Sequence, residues 1–313
     1  MKTKANRIKR IVAALSVAAI MAACAGSSVK AQRPDIIATN AFYYYADVDV
    51  AWEFYRDTLG FETVVDYGFA KIMRVASSSY LTLVRASEGM HSVDEPKTVT
   101  LSLITDELTH WNEHLVAHNV AMRVPHEDKS SNSFVAIDPG GYDLKFVRFN
   151  PHPGHVSYVP AFAAANPVEA RLENVAGRLS IRATAFSAYF DNLQQIRPFY
   201  EKLFDVRPIG LLQGVDAYQL SDSGFLYLVD GADELHSPTE KAGMTLSFLS
   251  TDVDAWWDRA VNMPGFELRT PEILDEGGGL VRVFVGYDPV GTFLEWDTFA
   301  DVPENAALNG YLH

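Results

Sequence analysis

Two stretches of this chain carry the same message. Tyr80–Ser102 (YLTLVRASEGMHSVDEPKTVTLS) and Phe225–Ser247 (FLYLVDGADELHSPTEKAGMTLS) share Leu, Leu-Val, His-Ser, Glu and Thr-Leu-Ser at a constant offset of 145 residues. The repeat extends both ways. Phe54-Tyr55 matches Phe199-Tyr200, Thr105-Asp106…Trp111 matches Thr251-Asp252…Trp257, and Asp138-Pro139-Gly140-Gly141 matches Asp288-Pro289-Val290-Gly291. Solenoid repeats have periods of roughly 20–50 residues, so a repeat this long is a duplicated domain.

With 313 residues, 48% of them hydrophobic, the chain can bury two cores. Its start differs from the rest. Lys2, Lys4, Arg7, Lys9 and Arg10 precede an apolar run from Ile11 to Ala23, the n-region and h-region of an export signal. The run is shorter than the roughly 20 residues of a membrane span. It ends Met21-Ala22-Ala23-Cys24, which resembles a bacterial lipobox, and Cys24 is the only cysteine. Lipidation there, followed by Ala25, implies an outer-membrane lipoprotein facing the periplasm. Cleavage after Val29-Lys30-Ala31 would instead give a soluble periplasmic protein. Removing residues 1–23 takes away five positive charges and no negative ones, moving the net charge from −14 to −19. That field repels nucleic acid and favours neutral or cationic ligands. With one cysteine there is no intrachain disulfide, so packing alone must hold the fold.

Residues 24–36 read as a tether of small and polar residues. After it, Asn40–Ala46 reads as a strand and Val50–Leu59 as a helix, with Trp52, Tyr55 and Leu59 on one face. Phe61–Asp66, Lys71–Val75 and Tyr80–Arg85 read as three more strands. The pattern restarts with strand Thr98–Ile104 and helix Leu108–His118, for which Asp106 is the expected cap. Val120–Val124, Ser133–Ile137 and Tyr142–Phe149 follow. Residues 150–181, with four prolines, read as a linker. The plan then replays, with helices near Ile196–Phe204 and Val253–Val261, and with Pro198 expected in a first helical turn. Residues 299–313 read as a loose tail.

Four βαβββ modules in tandem, with Phe-Tyr-x3-Leu-Gly from Phe54 to Gly60 and Asp-Pro-x-Gly before each last hairpin strand, resemble the vicinal oxygen chelate superfamily. That superfamily takes in glyoxalase I, bleomycin-resistance proteins, fosfomycin-resistance enzymes and extradiol dioxygenases. The resemblance implies an α+β fold: four modules paired into two domains, 37–149 and 182–298, each a curved mixed sheet with outer helices around a ligand cleft. In the superfamily, modules pair within one chain or between two chains, so a homodimer is compatible with it.

The resemblance also implies where metal ligands would stand. In the first domain those positions hold Asn40, Thr82, Thr98 and Lys145; in the second, Thr184, Tyr227, Gly243 and Glu295. One carboxylate falls short of the three or four ligands such a site needs. No cofactor is therefore expected, with a divalent metal (Fe, Zn, Ni or Mn) left open for the second domain through Glu295.

Each candidate has an alternative structural role. Glu295 is a potential general base if it faces the cleft, since desolvation raises a carboxylate's pKa; otherwise it is a hydrogen-bonded strand residue. Lys145 would hold a ligand oxygen or pair with an acid. His91 and His236, each before Ser, would touch ligand at the cleft rim or make a local turn. Strand alternation puts Asn40, Phe42 and Tyr44 on one face, to stack on a flat ligand or simply fill a core. His110, His114 and His118 share a helix face without the His-Glu-x-x-His zinc pattern. Gly277-Gly278-Gly279 is a lid or a plain turn, with no phosphate-loop context.

Two functions follow from the resemblance. One is a binding protein that holds a small organic molecule in a cleft with a degenerate metal site, as bleomycin-resistance proteins hold cationic drugs. The other is a lyase, isomerase or ring-cleaving dioxygenase working from the second domain through Glu295.

Overall fold

The computed structural model describes residues 33–126, 132–149, 159–173, 178–212, 214–233 and 235–313. The expected signal and Cys24 lie outside the described residues. The first module is β1 (Ala38–Tyr45), α1 (Val48–Glu53), β2 (Glu62–Asp66), β3 (Ala70–Ala76) and β4 (Ser79–Arg85). The second is β5 (Val99–Ile104), α2 (Leu108–Ala117), β6 (Met122–Val124), β7 (Ser133–Ile137) and β8 (Asp143–Val147). Between the halves come α3 (Val159–Ala164) and the short pair β9 (Val168–Glu169) and β10 (Ser180–Ile181). The third module is β11 (Ala183–Phe190), α4 (Leu193–Phe204), β12 (Gly210–Leu212), β13 (Val215–Gln219) and β14 (Gly224–Asp230). The fourth is β15 (Met244–Leu249), α5 (Val253–Val261), β16 (Glu267–Leu268), β17 (Leu274–Glu276), β18 (Val281–Tyr287) and β19 (Phe293–Phe299), and α6 (Ala306–Leu312) ends the chain.

The modules do not pair in chain order. A nine-stranded sheet runs β16-β18-β19-β15-β1-β4-β3-β2, with β17 also on β18, so it joins the first module to the fourth. An eight-stranded sheet runs β12-β13-β14-β11-β5-β8-β7-β6 and joins the second to the third. This corrects the expectation that 37–149 and 182–298 would each close one sheet. The joins are antiparallel and equivalent. Ala38 stands opposite Leu249, and Ala183 opposite Ile104. The spacing of a duplicated chain is the same whichever way its modules pair, because each sheet needs one odd and one even module and both pairings provide them.

Consecutive modules are instead locked on the helix side of the sheets. Asp138 accepts from the backbone N–H groups of Gly140 and Tyr142, each at 2.8 Å, and from the hydroxyls of Tyr45 (2.6 Å) and Tyr55 (2.9 Å). Asp288 does the same with Thr292 N–H (2.8 Å) and the Tyr200 hydroxyl (2.9 Å). The two sequence markers, Phe-Tyr on a helix and Asp-Pro-x-Gly at a turn, are thus partners in one hydrogen-bonded lock. A buried carboxylate is tolerable only when its oxygens are satisfied in this way. Around the local axis of the repeat, Ser78 N–H donates to Ser223 Oγ (2.7 Å) and Ser223 N–H returns a bond to Ser78 Oγ (2.8 Å).

Trp111, Trp256 and Trp296 are fully buried between helices and sheets, and Trp296 stacks on Phe284 with ring centroids 4.8 Å apart. Truncating such a residue to Ala costs about 3–5 kcal/mol. Gly60 closes the first helix at φ +68°, where a Cβ would meet the Arg171 nitrogen at 2.8 Å, so only Gly fits there.

Some local expectations change. Glu107, not Asp106, precedes α2, and Asp106 pairs with Arg182 instead. Asn192 caps α4 three residues earlier than expected, which places Pro198 in the second turn. The tail is not loose. Pro303–Asn305 form a 3-10 turn and α6 follows, because Leu308 is fully buried against the sheet. The linker likewise contains α3, whose Phe162 is buried.

Candidate active site on the outer-module sheet

The sheet of modules one and four presents a polar floor on its concave face. In β19, Leu294 and Trp296 alternate into the helix-side core, so Glu295 and Asp297 must point the other way. Glu295 is 7% exposed and Asp297 2%. A hydrogen-bond chain leads to them across four strands. Asn40 Nδ2 on β1 donates to Thr82 Oγ1 on β4 (2.9 Å) and to Ser247 Oγ on β15 (3.4 Å). Ser247 Oγ donates to Asp297 Oδ2 (2.5 Å), and Asp297 is hydrogen-bonded in turn to Glu295.

Two carboxyl groups in contact away from water cannot both ionise cheaply. Burial, with Asp297 and Glu276 adding to it, pushes Glu295 well above the usual carboxylate range. Burial also raises Asp297 to about 7, although hydrogen bonds from Ser247 and Glu295 oppose the rise. The two carboxyls therefore share a proton more readily than separate ones would and titrate as a unit.

Above this floor is a cavity of about 480 Å³. Phe42, Tyr44, Phe69 and Phe299 form apolar walls, and Glu88, Glu276 and Glu304 line its edges. Among the described residues no lysine or arginine lines it. Lys71, between the lining residues Ala70 and Ile72, points to the helix side, where it lies over the Trp52 ring and pairs with Asp66 (2.9 Å) and Asp49 (3.4 Å). Arg269, over the ring of Phe293 at 5.5 Å, only partly offsets the raised pKa of Glu295. The Tyr44 hydroxyl bonds Thr245 Oγ1 (2.8 Å), and burial together with Glu295 pushes its pKa up. The Gly277-Gly278-Gly279 turn, with φ +61°, +74° and +95°, carries the β17–β18 hairpin along one side of the cavity.

His91 sits at the rim, 5.0 Å from the Tyr44 ring and 4.9 Å from the Phe293 ring, with Nδ1 bonded to Glu95 at 2.5 Å. Burial, opposed by Glu95, holds its pKa below the ordinary value. His236 is its counterpart on the other sheet. It lies 5.2 Å from the Tyr189 ring, and its Nε2 is 3.1 Å from Asp143, which also accepts from Arg123 Nε (2.7 Å).

The repeat extends to side chains but not to chemistry. Tyr189 hydrogen-bonds Thr100 (3.0 Å) just as Tyr44 bonds Thr245. Where the outer-module sheet has Asn40, Thr82, Glu295 and Asp297, the inner-module sheet has Ala185, Tyr227, Lys145 and Val147. Lys145 is half-buried beside Ser102, with no ion-pair partner among the described residues. Phe162 of α3 packs over Ala183, Ala185, Phe225 and Tyr227.

Three expected site positions lie elsewhere. Thr184 points to the opposite face, where its hydroxyl meets Ser79 between the sheets. Thr98 lies just before β5 and bonds Thr239 (2.7 Å), off the floor. Gly243, at φ +57°, uses its carbonyl to accept from the Tyr142 hydroxyl (2.7 Å). Crossed pairing brings Asn40 and Glu295, assigned to separate domains by sequence, into one network. Sequence reasoning missed Asp297 and Ser247. The signal for Asp297 was its two-residue spacing from Glu295 in a strand.

A larger groove, about 860 Å³, runs along α2 beside residues 171–173. Two of its three histidines are in use: His114 Nε2 meets Thr58 O and His118 Nδ1 meets His114 O, both at 2.8 Å. The groove lies on the helix side and has no buried acid.

The metal that the superfamily implies does not fit this floor. Among the described residues no three of His, Cys, Asp and Glu converge to hold an ion. The Asn40 amide is taken up by the hydroxyls of Thr82 and Ser247, and the two carboxyls are hydrogen-bonded to each other rather than turned toward a common ligand position.

No protein-family model matches the sequence, and no curated protein does. Solved structures do. A proposed dioxygenase from Bacillus subtilis superposes with a TM-score of 0.57 at 14% identity, covering 86% of each chain. Glyoxalase I from Zea mays gives a TM-score of 0.57 at 13% identity, covering 90% of this chain and 96% of that one. The fold is the vicinal oxygen chelate fold, with all four modules closing within a single chain.

Proposed function

We propose that the chain binds a small organic cation in the cleft of the outer-module sheet. One observation carries this reading: the Glu295–Asp297 pair is buried beneath aromatic walls, with no cationic side chain among the described residues lining the cavity. A cationic ligand would supply the missing charge, and its flat or apolar part would lie against Phe42 and Tyr44. Benzyltrimethylammonium, measured by titration calorimetry, tests it. Glu295→Gln with Asp297→Asn removes the charge and keeps the shape. Loss of a buried charge partner costs about 2 kcal/mol or more, so affinity should fall at least about thirtyfold. Lys145→Met, on the other sheet, should change affinity by less than about twofold. Equal effects from both would overturn the assignment.

A second reading is favoured by the shared proton. A carboxylic acid and a carboxylate side by side near neutral pH are a ready general acid and base, so the same floor suits a metal-free isomerase or lyase with Glu295 or Asp297 moving the proton. Chemical conversion of a co-purified molecule, lost in Glu295→Gln, would distinguish this from binding alone.

Export and attachment through Cys24 are part of the proposal and rest on the sequence. The mature protein should carry a lipid on Cys24, and Cys24→Ser should release it from the membrane fraction.

A further inference from the structure

Two helices outside the βαβββ pattern occupy the same place on the two sheets. On the inner-module sheet, Phe162 of α3 packs among Ala183, Ile104 and Phe225, its ring 4.6 Å from Phe225. On the outer-module sheet, Leu308 of α6 is fully buried among Ala38, Leu249 and Tyr80. Ala38, Leu249 and Tyr80 stand 145 residues from Ala183, Ile104 and Phe225. The helix that follows each pair of modules is therefore part of the duplicated unit, and each folds back over one end of its own sheet's concave face.

On the outer-module sheet α6 is firmly held. Asn305, fully buried, donates from Nδ2 to Leu280 O (2.9 Å) and Ala300 O (3.0 Å), and it accepts from the Tyr67 hydroxyl. The Tyr311 hydroxyl bonds Glu62 Oε2 (2.9 Å), and the Arg74 guanidinium lies 3.8 Å from the Tyr311 ring centroid. The open cavity abuts this plug. Tyr67, Ile72 and Phe299 line the cavity and also touch the cluster around Leu308. The concave face is thus divided, with an acidic open portion over Glu295 and an apolar portion filled by the chain itself.

We propose that α6 is the end wall of the ligand cleft and that Leu308 sets how long a ligand the cleft admits. The inference rests on the cation reading above. A ligand with its charged head near Asp297 and an apolar chain running toward Ile72 meets Leu308 next. Shortening that side chain leaves space lined by Ala38, Tyr80 and Leu249, which only an apolar group would fill favourably.

The test is a series of n-alkyltrimethylammonium ions, from tetramethylammonium upward, titrated calorimetrically into the native protein and Leu308→Ala. Native affinity should rise with each methylene and then level off at a fixed chain length. In Leu308→Ala the levelling point should move by about two to three carbons, the size of the group removed, with tetramethylammonium affinity within about twofold of native. Leu308→Val, a milder change, should move it by about one carbon and decides the matter if the Ala variant does not fold. An unchanged levelling point in the folded variants overturns the role of α6 alone. No binding of any member to the native protein overturns the cation reading and this inference with it.

Discussion

Replacing Asp297 with Asn isolates the cost of ionising the cleft floor. In the folded chain, burial raises the Asp297 carboxyl from 3.8 to about 7. The folded state thus holds this proton more tightly than the unfolded state. The associated stability is fully present below about pH 4 and is lost as pH rises through about 7. The difference between 3.8 and about 7, at about 1.4 kcal/mol per pH unit, corresponds to roughly 4 kcal/mol. Asn carries no charge but keeps an oxygen to accept from Ser247. It also relieves Glu295 of its anionic neighbour, which works in the same direction. Asp297→Asn should therefore be near native stability at pH 4 and more stable than native at pH 8, by roughly 4 kcal/mol. Urea unfolding of both proteins at pH 4, 6 and 8 measures this, and other titrating groups cancel in the difference. A variant-minus-native difference that stays flat across that range would refute the buried, proton-sharing pair.

Other consequences follow from the packing. Tyr55→Phe removes one donor from buried Asp138 and should cost about 1–3 kcal/mol by thermal unfolding, although Tyr55 and Asp138 belong to modules of different sheets. In Gly224→Ala the new Cβ would lie 2.0 Å from Thr39 Oγ1 and 2.5 Å from Ser221 Oγ, costing about 1–3 kcal/mol. Adding Thr39→Ala should recover most of that loss. Phe162→Ala should cost about 3 kcal/mol and leave benzyltrimethylammonium affinity unchanged, since it empties the other cleft.

The module plan was legible because strand alternation, helix faces and turn residues recur at fixed spacing, and a repeat tests each element twice. Asn40, Phe42 and Tyr44 share a face because β1 runs without a bulge. The pairing of modules was not legible. The contacts that specify it, such as Tyr44 with Thr245 and Asn40 with Ser247, join residues more than 200 positions apart. In a duplicated chain the pairing rejected by the fold offers residues of similar type. The error propagated to the site: with Asn40 and Glu295 in separate domains, Glu295 stood alone and Asp297 had no role. The tail and linker were misread because a helix of six or seven residues gives little periodicity, and Leu308 and Phe162 gain meaning only from the sheet faces beneath them.

The account depends most on a ligand cation taking the place of a proton at Glu295 and Asp297. Benzyltrimethylammonium titrated at pH 6.5 in two buffers of different ionisation enthalpy reads that exchange directly. The prediction is release of up to one proton per cation bound, affinity that strengthens from pH 5 to 8, and no release in the Glu295→Gln, Asp297→Asn protein. Binding that releases no proton anywhere in that range would contradict it.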